Sequence, residues 1–243
     1  MKILIDGKEF SEEEKAAWIR KRIGKVLKNL KKTLPMTDDT DRLYESLTTL
    51  KAEMSYAEIT SLIKTKLAFG KFAMKLAAVF SFGKRRAAIT ILSADGITAA
   101  KFSKVIDALM LEDSEEHRRA NLAVCPDHYA LRPLNDTLEV IETAGCTPVP
   151  TQFYITFNDE TGLKEPRNFD YPFQSTGIAK LKDGTIIGGV RHQFKDTSTG
   201  IEVRTLVEFP RLCPKIILKE HQKHLAVEWS NWIMWAIQNQ SRY

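Results

Sequence analysis

Lys219-Glu220-His221-Gln222-Lys223-His224-Leu225-Ala226-Val227-Glu228-Trp229-Ser230-Asn231-Trp232 is the stretch that decides how this chain is read. It lies in a segment, Lys215 to Tyr243, that contains neither Pro nor Gly, so one long C-terminal helix is expected there. His224 and Glu228 are four residues apart and share one face of that helix. Asn231 and Trp235 continue the face, and Leu225, Trp229, Trp232, Ile233 and Ala236 form the apolar stripe beside it. A His and a Glu next to such a stripe are costly to bury without partners. A divalent cation would be one partner; a hydrogen bond between the two, or an ion pair reaching water, would be another.

Upstream of the helix the period changes from helical to alternating. Gln152–Phe157, Ser175–Leu181, Thr185–Phe194 and Gly200–Phe209 read as strands. Asn158–Gly162, Asp183-Gly184 and Asp196–Gly200 supply turns between them, and Pro210 and Pro214 close the run. An antiparallel sheet followed by one long helix is an α+β layout. A curved sheet gripping a helix encloses a pocket, and pockets of that kind take small molecules.

Further upstream, Ala87–Leu92 is a short β-branched strand, Asp95-Gly96 turns the chain, and Thr98 caps a helix from Ala99 to about Leu111. Glu112–Arg119 is expected as a charged continuation of that helix. Pro126 then breaks any helix, which puts His128 on a loop or at a strand start. Thr137–Gly145 carries Glu139 and Glu142.

The N-terminal third reads differently. Lys2–Phe10 alternates around Asp6-Gly7, a hairpin signal, and Ser11 with Glu14 forms a capping-box pattern. The helix begun there is expected to run towards Leu34-Pro35, with a polar linker over Thr37–Asp41. Two further helical stretches fill residues 41–80, the second ending near Phe82-Gly83. Residues 68–80 are apolar over a wide arc, so they should be buried against the rest of the chain or a second copy, and a homodimer is expected. Residues 1–82 are therefore expected as an N-terminal helical appendage, and residues 83–243 as the domain holding the sheet. Lys and Arg residues crowd positions 15–32, interleaved with Trp18, Ile19, Ile23, Val26, Leu27 and Leu30. This is the pattern of an amphipathic helix with a solvated basic face, and no nucleic-acid recognition motif accompanies it.

At 243 residues, 43% apolar and 28% charged, with a net charge of +5, the composition is that of an ordinary globular protein able to bury a sizeable core. Cys125, Cys146 and Cys213 show no CxxC spacing, so neither a disulfide framework nor a thiolate zinc site is expected, and a reducing compartment fits. No signal peptide and no membrane span is read, which makes a cytoplasmic protein without a membrane or nucleic-acid partner the expectation.

Five segments, in order, resemble the phloretin hydrolase and 2,4-diacetylphloroglucinol hydrolase family. Gly96-Ile97-Thr98 leading into the helix with Phe102 is similar to that family's G-V-T entry. Asp127-His128-Tyr129-Ala130-Leu131-Arg132 is similar to its D-H-Y-A-[VL]-R. Thr137–Gly162 resembles its segment carrying V-[LI]-E and a strand ending in L-S-F or I-T-F. His192 with Gly200-Ile201-Glu202-Val203-Arg204 resembles its H-x8-G-[VI]-E-[LV]-R. His224 to Asn231 resembles its H-x-x-x-E-[FW]-x-N. The likeness covers residues 85–240 and not the first 82.

The resemblance implies a helix-grip, START-like antiparallel sheet wrapped on the C-terminal helix. It also implies a zinc-dependent hydrolase that acts on carbon–carbon bonds in ketonic substances and cleaves an acyl group from a polyhydroxylated ring. Carried over, the metal ligands would be His128, Glu142, His224 and Glu228, with Glu139 an alternative to Glu142. Two imidazoles and two carboxylates suit Zn²⁺, and Mn²⁺ or Fe²⁺ as well. His192 would protonate the ring carbon or steady a phenolic oxygen, and Tyr129 would hold a ring hydroxyl. Members of the family place a tyrosine near the end of the strand that here reads Glu208-Phe209-Pro210-Arg211, and this chain has none there. The substrate expected is a small aromatic ketone of the phloretin or acylphloroglucinol type; the alternative is a non-catalytic small-molecule-binding protein with a metal site. His117 and His221, in charged contexts, are expected at the surface.

Overall fold

The computed structural model describes residues 1–35, 37–135 and 137–243. The C-terminal helix, α6 (Lys215–Asn239), mixes apolar and polar side chains, and side chains on most of its faces are buried. An antiparallel sheet is built against it from β1 (Lys2–Ile5), β2 (Lys8–Glu9), β3 (Arg85–Asp95), β4 (His128–Leu134), β5 (Thr137–Glu142), β6 (Thr151–Phe157), β7 (Phe173–Lys180), β8 (Ile186–Asp196) and β9 (Gly200–Pro210). The spatial order is β2-β1-β3-β9-β8-β7-β6-β5-β4. Thr90 on β3 donates its hydroxyl to the Gln222 carbonyl, and Gln222 donates back to the Ile89 carbonyl, which ties helix to sheet at one turn. This is the α+β helix-grip arrangement expected from the sequence. A second helix, α4 (Ala99–Leu111), starts at Thr98, whose hydroxyl accepts the Lys101 N–H, and it seats Phe102 edge-on to Phe194 and Trp229.

The N-terminal residues are more than a helical appendage. β1 and β2 are joined by the Asp6-Gly7 turn, both residues at positive φ, and β1 pairs with β3, so the sheet continues into residues 2–9. One apolar core runs across residue 82. α1 (Glu12–Leu30) opens on the capping box between Ser11 and Glu14, as expected. It ends at Leu30, short of Pro35, because Lys31 turns left-handed at φ 53° and its N–H closes on the Leu27 carbonyl. α2 (Thr40–Glu53) begins inside the stretch expected as a linker, capped by the Asp39 carboxylate.

α3 (Tyr56–Phe80) packs on the sheet through Gly70, Met74 and Ala78. At Gly70 a Cβ would collide with the Pro150 carbonyl oxygen, so only glycine allows this approach. The rest of the apolar arc is not buried against the chain: Phe69, Phe72, Leu76, Val79 and Phe80 all face outward. The helix expected to continue through Glu112–Arg119 is two helices. The chain breaks at Glu112-Asp113, and the Ser114 hydroxyl caps α5 (Glu115–Ala123). A short Ser, with acids in the first turn behind it, is a better helix start than a helix interior.

Candidate metal centre

β4 and β5 are antiparallel neighbours, and His128 stands directly opposite Glu142 in their register. α6 brings His224 and Glu228 against the same point from the other side. One donor atom from each of the four residues falls within a span of 4.8 Å. His128 Nε2 lies 3.1 Å from Glu228 Oε1 and 3.6 Å from Glu142 Oε2; His224 Nε2 lies 3.6 Å from the same Glu142 oxygen. His128 and His224 are fully buried, and the two carboxylates nearly so. All four residues expected as ligands are therefore brought together. Glu139 is excluded, since three residues along a strand reverses the face. It accepts instead from Tyr56 and from Gln152 on the other side of β5.

The donor set fits a cation. His128 Nδ1 donates to the Asn121 carbonyl at 2.9 Å, which fixes the tautomer and leaves Nε2 as a bare lone pair. Among the described residues neither His128 Nε2 nor His224 Nε2 has a hydrogen-bond partner, although both are buried. Buried nitrogens left unpaired are costly unless something accepts their lone pairs. Burial pushes the carboxyls of Glu142 and Glu228 well up. It pushes the imidazoles of His128 and His224 down, so both rings are neutral and able to ligate.

The shell around this cluster contains residues that were not among the expected site residues. Asp127 lies 3.7 Å from His224 Nδ1, and Cys125 Sγ lies 3.6 Å from the same nitrogen. Asp127 is held in turn by Arg22 of α1, through Nε at 2.7 Å and a terminal nitrogen at 2.8 Å. Burial raises the Asp127 carboxyl to about 6 even with that guanidinium pulling it down. Lys51 of α2 is 1% exposed and donates to the carbonyls of Leu122, Cys125, Pro126 and His128. Trp18 of α1 meets the His224 ring edge-on. Arg22 and Asp127 are 105 positions apart, so no local pattern joins them.

Glu142 and Glu228 also line a cavity enclosing about 940 Å3 of atom-free space, open solvent at its mouth included. Its walls are apolar, with Leu131, Val140, Phe153 and Val190 from the sheet and Leu225, Trp229 and Trp232 from α6. His192 lines it too, its ring 4.5 Å from that of Trp229. The Leu206 N–H donates to His192 Nδ1, so Nε2 carries the ring proton. Burial, with His221 nearby, lowers the imidazole to about 3, which keeps it neutral. His192 is thus a hydrogen-bond donor and not a reservoir of imidazolium.

Tyr129 does not line the cavity. It is 1% exposed, its hydroxyl accepts from Asn29 at 2.7 Å, and burial raises it to about 12. In the strand it points away from the ligand cluster that its neighbour His128 enters. His221 and His117, expected at the surface, are both buried. His221 is one turn before Leu225 on the inner face of α6, stacked on His224 with centroids 4.8 Å apart. His117 is held between the Tyr243 hydroxyl and the Glu112 carbonyl. Where a tyrosine was missing from the sequence, Phe209 lines the cavity and meets His221 edge-on.

No family model matches the chain, and no curated protein does. Among solved structures it is similar to Ara h 8.0201 at 8% identity and a TM-score of 0.39, over 64% of this chain and 100% of that one. It is also similar to an uncharacterized protein from Rhizobium leguminosarum, at 14% identity and a TM-score of 0.33, over 64% of this chain and 99% of that one.

Proposed function

We propose that this protein is a metal-dependent hydrolase that cleaves the bond between an acyl carbon and a polyhydroxylated aromatic ring. The observation that carries the reading is that Glu142 and Glu228 belong at once to the four-donor cluster and to the wall of an apolar cavity. A ligand in the cavity therefore meets the cluster directly. His128, Glu142, His224 and Glu228 would hold a zinc-class ion, which supplies Lewis acidity and a lowered pKa for water.

In the overall reaction water adds its oxygen to the acyl carbon, the acyl–ring bond breaks, and the electron pair goes to the ring carbon, which takes a proton. The products are a carboxylic acid and the deacylated phenol. The chain's own residues position the ring. Trp229, Trp232 and Phe153 offer flat apolar faces, and the Nε2–H of His192 is placed to donate to a phenolic or acyl oxygen where negative charge develops. Apolar walls limit water to what the cluster holds.

The second reading is a metal-containing binding protein without turnover. Phe209 in place of a phenol and the neutrality of His192 favour it, since both remove proton donors from the cavity wall. Metal analysis of the purified protein together with a phloretin assay, read as release of phloroglucinol, separates the two. Metal with phloroglucinol release supports the hydrolase. Metal without turnover on any acylated phloroglucinol leaves the binding protein.

A further inference from the structure

We propose that the outer face of α3 docks on an anionic lipid bilayer. Phe69, Phe72, Leu76, Val79 and Phe80 recur at three- and four-residue spacing and stand in solvent, opposite the face that packs on the sheet. Phe82 extends the stripe past the helix end and is 82% exposed. The turn after β9 lies alongside: the Leu212 N–H donates to Ser81 Oγ and the Arg211 N–H to the Lys84 carbonyl. Leu212 and Ile216 add their exposed side chains there. Contiguous apolar surface of this kind marks a contact site.

The charges around it select the occupant. No Asp or Glu occurs between Glu58 and Asp95. Lys64, Lys71 and Lys84 are exposed along the helix and just past its end, and Arg211 and Lys215 stand on the adjoining turn. None of these five has an ion-pair partner among the described residues. Asp183, brought to α3 from the β7–β8 turn, is already paired with Lys75 at 2.6 Å. A twofold pairing of two copies through this stripe would set cations against cations. A bilayer carrying acidic headgroups takes both parts, aromatic rings into the headgroup boundary and lysines onto phosphate. Among the described residues no helix is long and apolar enough to cross a membrane, and the contact proposed lies in the plane of the surface. The face of α3 turned the other way places Met74 in the cavity wall, so a docked protein holds the cover of its cavity against lipid. The proposal does not depend on the chemistry inside that cavity.

The test is co-sedimentation of the full chain with vesicles of phosphatidylcholine containing about a third phosphatidylglycerol, against phosphatidylcholine alone. The wild type is expected to pellet with the acidic vesicles, less so as salt is raised. Phe72→Glu with Phe82→Glu, and separately Lys71→Glu with Lys84→Glu, are each expected to lower partitioning at least about tenfold. Melting should be unchanged in both, because these side chains are exposed. A wild type that stays in the supernatant with acidic vesicles overturns the proposal. So does a wild-type dimer that the phenylalanine pair converts to monomer by light scattering, which would make the occupant a second copy.

Discussion

Arg22 and Asp127 form a buried two-bond ion pair, 2.7 and 2.8 Å, between the first helix and the residue preceding His128 of the candidate metal cluster. The same carboxylate stands 3.7 Å from His224 Nδ1. One pair thus anchors the N-terminal helix to the turn that carries one imidazole and faces the ring of the other. Removing one partner of a buried pair leaves the other uncompensated, at about 3–5 kcal/mol. Arg22→Ala is expected to lose stability of that order in denaturant titration. Metal affinity should fall about 10–100-fold, since Asp127 no longer holds its place beside His224. An unchanged affinity in a folded Arg22→Met protein would show that the pair serves the fold alone.

Loss of the ligands should remove the metal outright. His224→Ala with Glu228→Ala is expected to bring metal content to background and to abolish the stabilisation that added metal gives the wild type. Metal retained in that variant, read by elemental analysis, would place the ion elsewhere.

The sign of the pH dependence is set by the buried acids. Burial raises the Glu228 carboxyl above its unfolded value, so in metal-free protein its contribution is complete below the ordinary carboxylate range and is lost as pH rises through the raised value. Glu228→Gln keeps the shape and does not titrate. The metal-free variant is expected to melt higher than metal-free wild type at pH 8, with the gap closing towards pH about 4, below the ordinary glutamate value. With metal added, the order should reverse at pH 8. A gap that does not change with pH would mean Glu228 is not charged at the cluster.

The sequence showed some of this and hid the rest for reasons that can be named. His224 and Glu228 are one helical turn apart and their shared face is readable from spacing, whereas His128 and Glu142 were implied only by the resemblance and face each other once β4 and β5 pair. Glu139 against Glu142 was left open by the sequence alone, but strand parity resolves it once β5 is in place. Arg22 and Lys51 were not readable as site residues. A cation on a basic helix looks solvated until the partner a hundred residues away is in position, and Asp127 carries no mark of burial in its own segment. His221 was misread for the opposite reason: Lys219, Glu220 and Lys223 around it are charged, while the helical period turns His221 itself inward. The outward phenylalanines of α3 were expected to be buried against the chain or a second copy, and the chain leaves them exposed. Where the cover comes from is not written in a helix of even hydrophobicity.

Lys51 is a second anchor of the same turn. Its ammonium is buried, and burial lowers it to about 8. It is still charged at neutral pH, and its three N–H groups are shared among four carbonyls, of which that of Cys125 also accepts the His128 N–H. Lys51→Met removes the donors and leaves those carbonyls buried, at about 1–3 kcal/mol for each one left unpaired. The expectation is a drop in melting temperature together with faster amide exchange over residues 122–128. Exchange confined to α2 would show that Lys51 holds its own helix and not the ligand turn.

His192 tests the chemistry most directly, because its neutrality separates two roles. A general acid would have to give up a proton near neutral pH, and an imidazole lowered to about 3 holds none to give. A neutral Nε2–H, fixed by the Leu206 N–H on the opposite nitrogen, can instead stabilise charge developing on an oxygen. His192→Ala should therefore keep the metal and the fold, since the ring is not a ligand. Loss of one such donor costs about 10²–10³ in kcat, with KM less affected. The pH profile of kcat for the wild type should show no ionisation near 6–7 that His192→Ala removes. His192→Asn, which can present an N–H from a similar place, should recover part of the loss. A rise in KM alone in His192→Ala would reduce the residue to a binding contact, and an ionisation lost with the imidazole would restore it as an acid.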